Sequence, residues 1–173
     1  MNTLPNTNAS FQQVFSAGGV YEFPDAVHRQ LVFGALLRRL EQQGRVDSAH
    51  HTKLVQALDR RESYGTSAIG KGLAFPHLRT RHVNEMVGVI GYIAQGCNFD
   101  SLDHRPTKCV FLTLSPVQWR CEHGKLLQRL FSMLRDPGLE LLLEQSSSAD
   151  AVWNHVMSVD SLAEARVDAQ WIP

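Results

Sequence analysis

The sequence has little that would mark a secreted, membrane-embedded or metal-binding protein. Its 173 residues contain three cysteines, Cys97, Cys109 and Cys121, an odd number that does not suit a disulfide framework. No Cys-x-x-Cys pair occurs, so buried thiols in a reducing compartment are favoured over a metal site. The N-terminus lacks the basic and apolar regions of a signal peptide, and the longest apolar runs are too short to span a bilayer. These absences predict a soluble cytoplasmic protein.

An excess of either charge is also absent. Lys plus Arg and Asp plus Glu number 17 each, whereas nucleic-acid binders usually carry a basic excess or stripe. A nucleic-acid partner is therefore disfavoured. Apolar residues make up 43% of the chain, enough for a sizeable core in one domain.

The chain divides into three predicted parts. Residues 1–18 are rich in Asn, Thr, Ser and Gly and predict a flexible arm, which can dock through Phe11, Val14 and Phe15. Residues 19–158 form the predicted domain, and residues 159–173 form a C-terminal tail.

Helical periodicity predicts two helices before the centre of the domain and three after it. The first two are capped by Asp25 and by Asp47 or Ser48, and they end near Gln43 and Glu62. An apolar stripe marks the third helix, and Asp136 with Pro137 starts the fourth. The last begins at Ser147 or Ser148 and ends near Met157.

Two nearly continuous apolar runs, residues 86–94 and 108–114, predict buried strands between these helices. The order of helices and strands predicts an α/β fold: a single layered α/β/α domain with a central mixed β-sheet flanked by helices.

Two of the eight histidines stand out. His77 ends the run "GKGLAFPH", in which Pro76 stiffens the chain and nearby glycines allow close approach of a ligand. On this pattern alone, a histidine packed in the core is favoured over a reactive one. His123 lies at a predicted helix start, where unpaired backbone N–H groups favour an anion, but on this evidence alone a surface histidine is favoured.

The segment "RRESYGTSAIGKGLAFPHLRT" resembles the signature of the fructose/mannitol/nitrogen-type IIA proteins of the bacterial sugar phosphotransferase system. The resemblance covers roughly residues 20–157. The residues in register are Arg61, Glu62, Gly65, Ile69, Gly70, Gly72, Ala74, Pro76 and His77.

The resemblance implies a phosphohistidine carrier that needs no cofactor or metal. His77 would accept the phosphoryl group from the phosphohistidine of the carrier HPr. His123 and Arg61 would stabilise the phosphate, and the backbone of a loop containing Ser67, Gly70 and Gly72 would approach it. By the same resemblance, the reactive nitrogen of His77 is Nε2.

The partner after HPr is open at this stage. The chain length leaves no room for a fused IIB or IIC domain, which favours a stand-alone nitrogen-type regulator that binds a target protein. The alternatives are a sugar-specific IIA component that passes phosphate to a separate IIB, and a binding module that has lost transfer. Ala68 and Gly124 depart from the family pattern and leave room for the binding module. A metal site at His77 and His123 is a weaker alternative.

Overall fold

Six helices flank the sheet in the computed structural model, which describes residues 11–15, 19–23, 28–145 and 148–169, with side chains up to residue 159. Short 3-10 turns precede the third helix and follow the fourth. The helices are α1 (Phe11–Phe15), α2 (Arg29–Gln42), α3 (His51–Ser63), α4 (Arg120–Ser132), α5 (Pro137–Glu144) and α6 (Ala149–Ala169).

A six-stranded mixed sheet forms the centre of the domain. Its strands are β1 (Val20–Phe23), β2 (Ala68–Gly70), β3 (Leu73–Ala74), β4 (His77–Thr80), β5 (Val87–Cys97) and β6 (Thr107–Pro116). The order is β1-β5-β6-β3-β2, and β4 also pairs with β6. β5 and β6 are antiparallel, whereas β1 runs parallel to β5 and both β3 and β4 run parallel to β6.

Strands β3 and β4 follow the same edge of β6 in one register. Leu73 pairs with Cys109, and four residues later His77 pairs with Thr113. Pro76 interrupts the pairing because it has no N–H to donate, although its carbonyl accepts from the Thr113 N–H at 3.0 Å. His77 therefore stands at the first residue after a fixed break in the sheet.

Alternation along β6 separates two hydrophobic layers. Val110, Leu112 and Leu114 pack towards α2 and α3. Cys109 and Phe111 face the opposite layer, which α1, α4, α5 and α6 cover. This arrangement confirms the predicted α/β/α architecture with a mixed central sheet.

The predicted arm contributes to the second layer. Phe11, Val14 and Phe15 of α1 are fully or almost fully buried, which confirms that these three side chains dock the segment. The Arg45 guanidinium donates to the carbonyl of Val14 at 2.7 Å and holds the end of α1. Phe11–Phe15 is therefore packed structure and not a flexible stretch; the rest of the predicted arm, residues 1–10 and 16–18, lies outside the described residues.

The cap predictions have different outcomes. Asp47 accepts from the Ala49 N–H, and Asp136 accepts from the Gly138 N–H with Pro137 at the first position of α5, so both caps are confirmed. Ser148 accepts from the Ala151 N–H at the start of α6. Asp25 and Ser147 lie outside the described residues.

Other expectations are wrong in detail. The last helix does not end near Met157 but continues to Ala169, into the predicted tail. Cys97 and Cys109 are buried as expected, but Cys121 is exposed on the first turn of α4, where a cysteine faces away from both hydrophobic layers.

Gly88 of β5 leaves room for the Phe15 ring of α1 to pack against the sheet. A Cβ at this position would lie 2.4 Å from Cε1 of Phe15, which is itself buried and unable to move freely. We expect Gly88→Ala to lower the free energy of unfolding by about 1–3 kcal/mol through overpacking. Urea denaturation measures this change.

Gly34→Ala in α2 is the matched control, because a Cβ there has His51 Nε2 as its nearest neighbour at 3.7 Å, an ordinary contact. Alanine also favours a helix over glycine by about 1 kcal/mol. A Gly88→Ala protein as stable as the wild type would contradict the described packing of Phe15.

Candidate active site

The structure brings His77, His123 and Arg61 into one open cleft of about 590 Å³. His77 begins β4, His123 lies in the first turn of α4, and Arg61 lies in the last turn of α3. The two imidazole rings have centroids 5.3 Å apart. Three elements distant in sequence thus converge on one point at the sheet edge.

Hydrogen bonds determine the proton position in the His77 ring. Nδ1 lies 2.8 Å from the Phe75 carbonyl oxygen, which can only accept, so Nδ1 carries the proton. Nε2 is then the nitrogen with the free lone pair, and the Arg61 guanidinium donates to it from Nη2 at 3.2 Å. The neutral ring therefore presents an oriented lone pair at Nε2.

The electrostatic environment favours this neutral form. Burial lowers the pKa of His77 below its usual value, and the positive charge of Arg61 lowers it further. The hydrogen bond that Nδ1 donates to the Phe75 carbonyl acts in the opposite direction. A lowered pKa means that the lone pair is available over a wider pH range.

Buried Glu62 orients Arg61. The Glu62 carboxylate lies 3.6 Å from Arg61 Nη1, and it accepts a short hydrogen bond from the Ser67 N–H. Arg61 also donates to the Gly65 carbonyl at 2.7 Å. Because these contacts come from both ends of the loop after α3, the guanidinium is held in place before any anion arrives.

His123 is anchored from the sheet side. Its Nδ1 lies 2.6 Å from the hydroxyl oxygen of Ser115, which is fully buried on β6. Burial lowers the pKa of His123 to about 4, with contributions from His77, Arg79 and Arg61. The ring is therefore neutral at pH 7.

One expectation about His123 is wrong. The backbone N–H of His123 donates to the Trp119 carbonyl at 3.1 Å, so it is not among the unpaired donors of the helix start. Any anion in the cleft meets the side chain of His123 and not its backbone N–H.

The predicted phosphate loop does not lie at the cleft. Gly70 and Gly72 flank the turn between β2 and β3, next to Asp103 and Pro106. Gly72 precedes His77 by five residues of extended chain, or about 16 Å. The expectation that these glycines bring the backbone close to a phosphoryl group is therefore wrong; their positive φ angles, 129° and 73°, serve the tight turn.

Ser67 was expected in the phosphate loop, but its N–H binds the Glu62 carboxylate instead. Its side chain is buried, its hydroxyl has no hydrogen-bond partner in the part of the chain that the structure describes, and its N–H holds Glu62. The Ala68 N–H is likewise bonded to the Thr66 hydroxyl. These two N–H groups are thus not available to an anion in the cleft.

The two residues that depart from the family pattern, Ala68 and Gly124, do not distort the site. Ala68 lies in β2 opposite Ala74, without a positive φ, so its Cβ is accommodated. Gly124 lines the cleft inside α4, and a Cβ there would meet no atom within 4 Å. The helix is regular at this glycine, and His123 keeps its position.

Sequence reasoning missed Ser115, Arg79 and Arg120. The two arginines line the cleft with exposed side chains and take part in no ion pair among residues 28–145. Ser115 lies near the end of β6 and His123 lies in the first turn of α4, and their contact becomes visible only when the packing of α4 on β6 is known. Across the described residues, no group of three or more His, Cys, Asp or Glu side chains is arranged to hold a metal ion.

Comparison with known proteins identifies the family. Residues 21–158 match the family model described as "Phosphoenolpyruvate-dependent sugar phosphotransferase system, EIIA 2". The chain belongs to this family, whose members are phosphoryl carriers of the phosphotransferase system.

Relatives of two kinds are similar to the chain. A "Nitrogen regulatory protein" of Bradyrhizobium diazoefficiens is 32% identical over 57% of this chain and 65% of its own length. A "PTS system fructose-specific EIIA component" of Haloferax volcanii is 32% identical over 60% of this chain and 67% of its own. The match thus spans about two thirds of each relative.

A solved structure agrees with the fold. The nitrogen regulatory protein IIA-Ntr from Neisseria meningitidis superposes with a TM-score of 0.68 at 25% identity, covering 79% of this chain and 91% of that one. Within the described residues, no helix is both long and apolar enough to cross a membrane.

Proposed function

We propose that His77 is the phosphoryl acceptor of this chain and that its Nε2 is the reacting atom. The observation that supports this most is the pair of contacts on the ring: the Phe75 carbonyl holds the proton on Nδ1, and Arg61 meets the lone pair of Nε2. A histidine nucleophile needs an unprotonated ring nitrogen next to an accessible space, in a ring that is neutral at working pH. His77 meets these conditions in an open cleft.

The transfer step is a displacement at phosphorus. The hydrogen bond from Arg61 to Nε2 of His77 opens as the donor arrives, and the guanidinium turns to the phosphoryl oxygens. The released Nε2 lone pair forms the new P–N bond while the P–N bond of the donor phosphohistidine breaks, and the donor ring takes back that electron pair. The proton of the His77 ring stays on Nδ1, which donates it to the Phe75 carbonyl throughout. A donor ring protonated on its second nitrogen leaves neutral, so no proton has to cross during the step.

Charge stabilisation comes from side chains. The transferred group spreads negative charge over three oxygens, which fixed donors must meet. Arg61 already lies next to Nε2, and the His123 ring faces His77 across the cleft. Arg79 and Arg120 add positive charge at the rim, where the donor protein approaches.

The donor is phospho-HPr or an equivalent phosphocarrier, and the chain acts as a nitrogen-type regulator in the cytoplasm. This assignment is supported by the nitrogen regulatory relatives and by the match to the Neisseria structure. Phosphorylation would place about −1.5 to −2 charges in the cleft between His77 and Arg61, enough to change which target surface binds there.

A sugar-transport role is the second candidate, because the fructose-specific relative is equally similar, at 32% identity. In that role, phospho-His77 passes its group to a separate IIB domain. The two roles differ in the acceptor: after phosphorylation through phosphoenolpyruvate, enzyme I and HPr, only a sugar-transport protein should pass the phosphoryl group to a fructose-type IIB.

The test of the proposal is incubation with phosphoenolpyruvate, enzyme I and HPr. We expect one acid-labile phosphoryl group per chain, and none when HPr is omitted. A protein that takes up no phosphoryl group from either HPr or a nitrogen-branch phosphocarrier would be a binding module that keeps only the fold.

The lowered pKa of His77 has a kinetic consequence. Because burial and Arg61 favour the neutral ring, the reactive form persists below pH 6.5, the ordinary value for histidine. We expect the acid limb of the single-turnover uptake rate to lie below pH 6.5, and Arg61→Gln to move it upwards. Rapid-quench measurements between pH 5 and 8 check this, and a limb above 6.5 in the wild type would contradict the described environment.

A further inference from the structure

The burial of the contact between Ser115 and His123 indicates which of the two side chains donates the hydrogen bond. A buried hydroxyl has one hydrogen to donate and lone pairs to accept, and either ring tautomer of a neutral histidine can meet it. In the part of the chain that the structure describes, the Ser115 hydroxyl has one hydrogen-bond partner, Nδ1 of His123 at 2.6 Å. Donation from Ser115 to Nδ1 satisfies the hydroxyl hydrogen, whereas donation from Nδ1 to Ser115 would leave that hydrogen buried without an acceptor.

We propose that Ser115 is a positioning residue: it donates its hydroxyl hydrogen to Nδ1 of His123 and so keeps the proton of the neutral ring on Nε2, the nitrogen on the far side of the ring. The effect of this tautomer on phosphoryl transfer rests on the proposed function. Phosphoryl oxygens only accept hydrogen bonds, so His123 can stabilise them only from an N–H.

The surroundings of the pair support this role. Ser115 is fully buried on β6, directly opposite Arg79 of β4 in the register, and on the sheet face that α4 covers. The His123 side chain is 8% exposed and lines the cleft. The ring is thus held by the sheet at Nδ1 while its other edge is turned towards the space next to His77.

The tautomer can be measured directly in the unmodified protein. Long-range ¹H–¹⁵N NMR spectra distinguish Nε2–H from Nδ1–H histidines, and at pH 7.5 we expect His123 to be the Nε2–H form. Ser115→Ala removes the donor, so its His123 should show a mixture of tautomers. A wild-type His123 in the Nδ1–H form would overturn the inference, whatever the variants do.

The rate of phosphoryl uptake tests whether the Ser115 hydroxyl matters for function. We expect Ser115→Ala to lower the single-turnover rate of phosphoryl uptake from phospho-HPr about tenfold with unchanged affinity for the carrier, the effect of weakening one hydrogen bond to the transferred group. Ser115→Thr keeps the hydroxyl and should restore most of the rate. A Ser115→Ala protein with the wild-type rate and wild-type tautomer would contradict the role.

Thr107→Val is the matched control. Thr107 is fully buried on the same strand, about 26 Å from Ser115, and its hydroxyl has no hydrogen-bond partner within the described chain. This variant should keep both the rate and the His123 tautomer, and an equal loss of rate in it would mean that any buried hydroxyl of β6 matters. If the wild type takes up no phosphoryl group, the proposed function fails, while the NMR arm still decides the position of the proton.

Discussion

His77→Gln should abolish phosphoryl uptake. The glutamine amide nitrogen has no available lone pair, although its side chain can still occupy the site and contact Arg61. Removal of the nucleophile should lower the rate by more than about 10³-fold, which is below detection in the assay with HPr. Intact-protein mass spectrometry after incubation shows whether a phosphoryl group has been added.

His82→Gln is the control for this variant. His82 lies in the turn after β4 and stacks on His50, with ring centroids 3.9 Å apart, outside the residues that line the cleft. The His82→Gln protein should take up the phosphoryl group at the wild-type rate. Full uptake by His77→Gln would mean that another residue carries the phosphoryl group.

Acidification should remove a large part of the stability of the fold through His123. Burial in the folded protein lowers the pKa of His123 to about 4 from the ordinary histidine value of 6.5, so the unfolded chain binds more protons at this residue between these two values. The free energy of unfolding therefore rises with pH across this window and falls as pH drops from about 6.5 to 4. The total change from this residue is about 3 kcal/mol. His77, with a pKa shifted in the same direction, adds to it.

Urea denaturation between pH 4 and 7 measures this effect as a difference between proteins. His123→Gln should lose about 3 kcal/mol of the pH dependence, because glutamine does not titrate. His104→Asn is the control, since His104 is exposed and asparagine tolerates its φ of 58°. Parallel pH profiles for wild type and His123→Gln would contradict the described burial of the ring.

The long elements of the fold could be predicted from the sequence because their patterns are local. The apolar runs of β5 and β6 and the capping residues Asp47 and Asp136 each act within one element. Strand β1, with four residues, and β2, with three, have no such signal, because their pairing depends on distant partners.

The candidate site divides in the same way. Pro76 followed by His77 marks a stiff chain end, but only the resemblance to a family connected His77 with Arg61 and His123. The glycines of the signature were misread because a tight turn and a phosphate cradle require the same residue type. Gly72 lies against Pro106 and Leu143 at the far end of β3, a placement that depends on the register between β3 and β6.

The most direct test is the identity of the phosphorylated atom. After incubation of ¹⁵N-histidine-labelled protein with phosphoenolpyruvate, enzyme I and HPr, ³¹P–¹⁵N NMR couplings report which ring nitrogen is bonded to phosphorus. The contacts of His77 with Phe75 and Arg61 predict a single phosphohistidine, bonded through Nε2 of His77. A phosphoryl group on Nδ1 of His77, or on any other residue, would contradict the account.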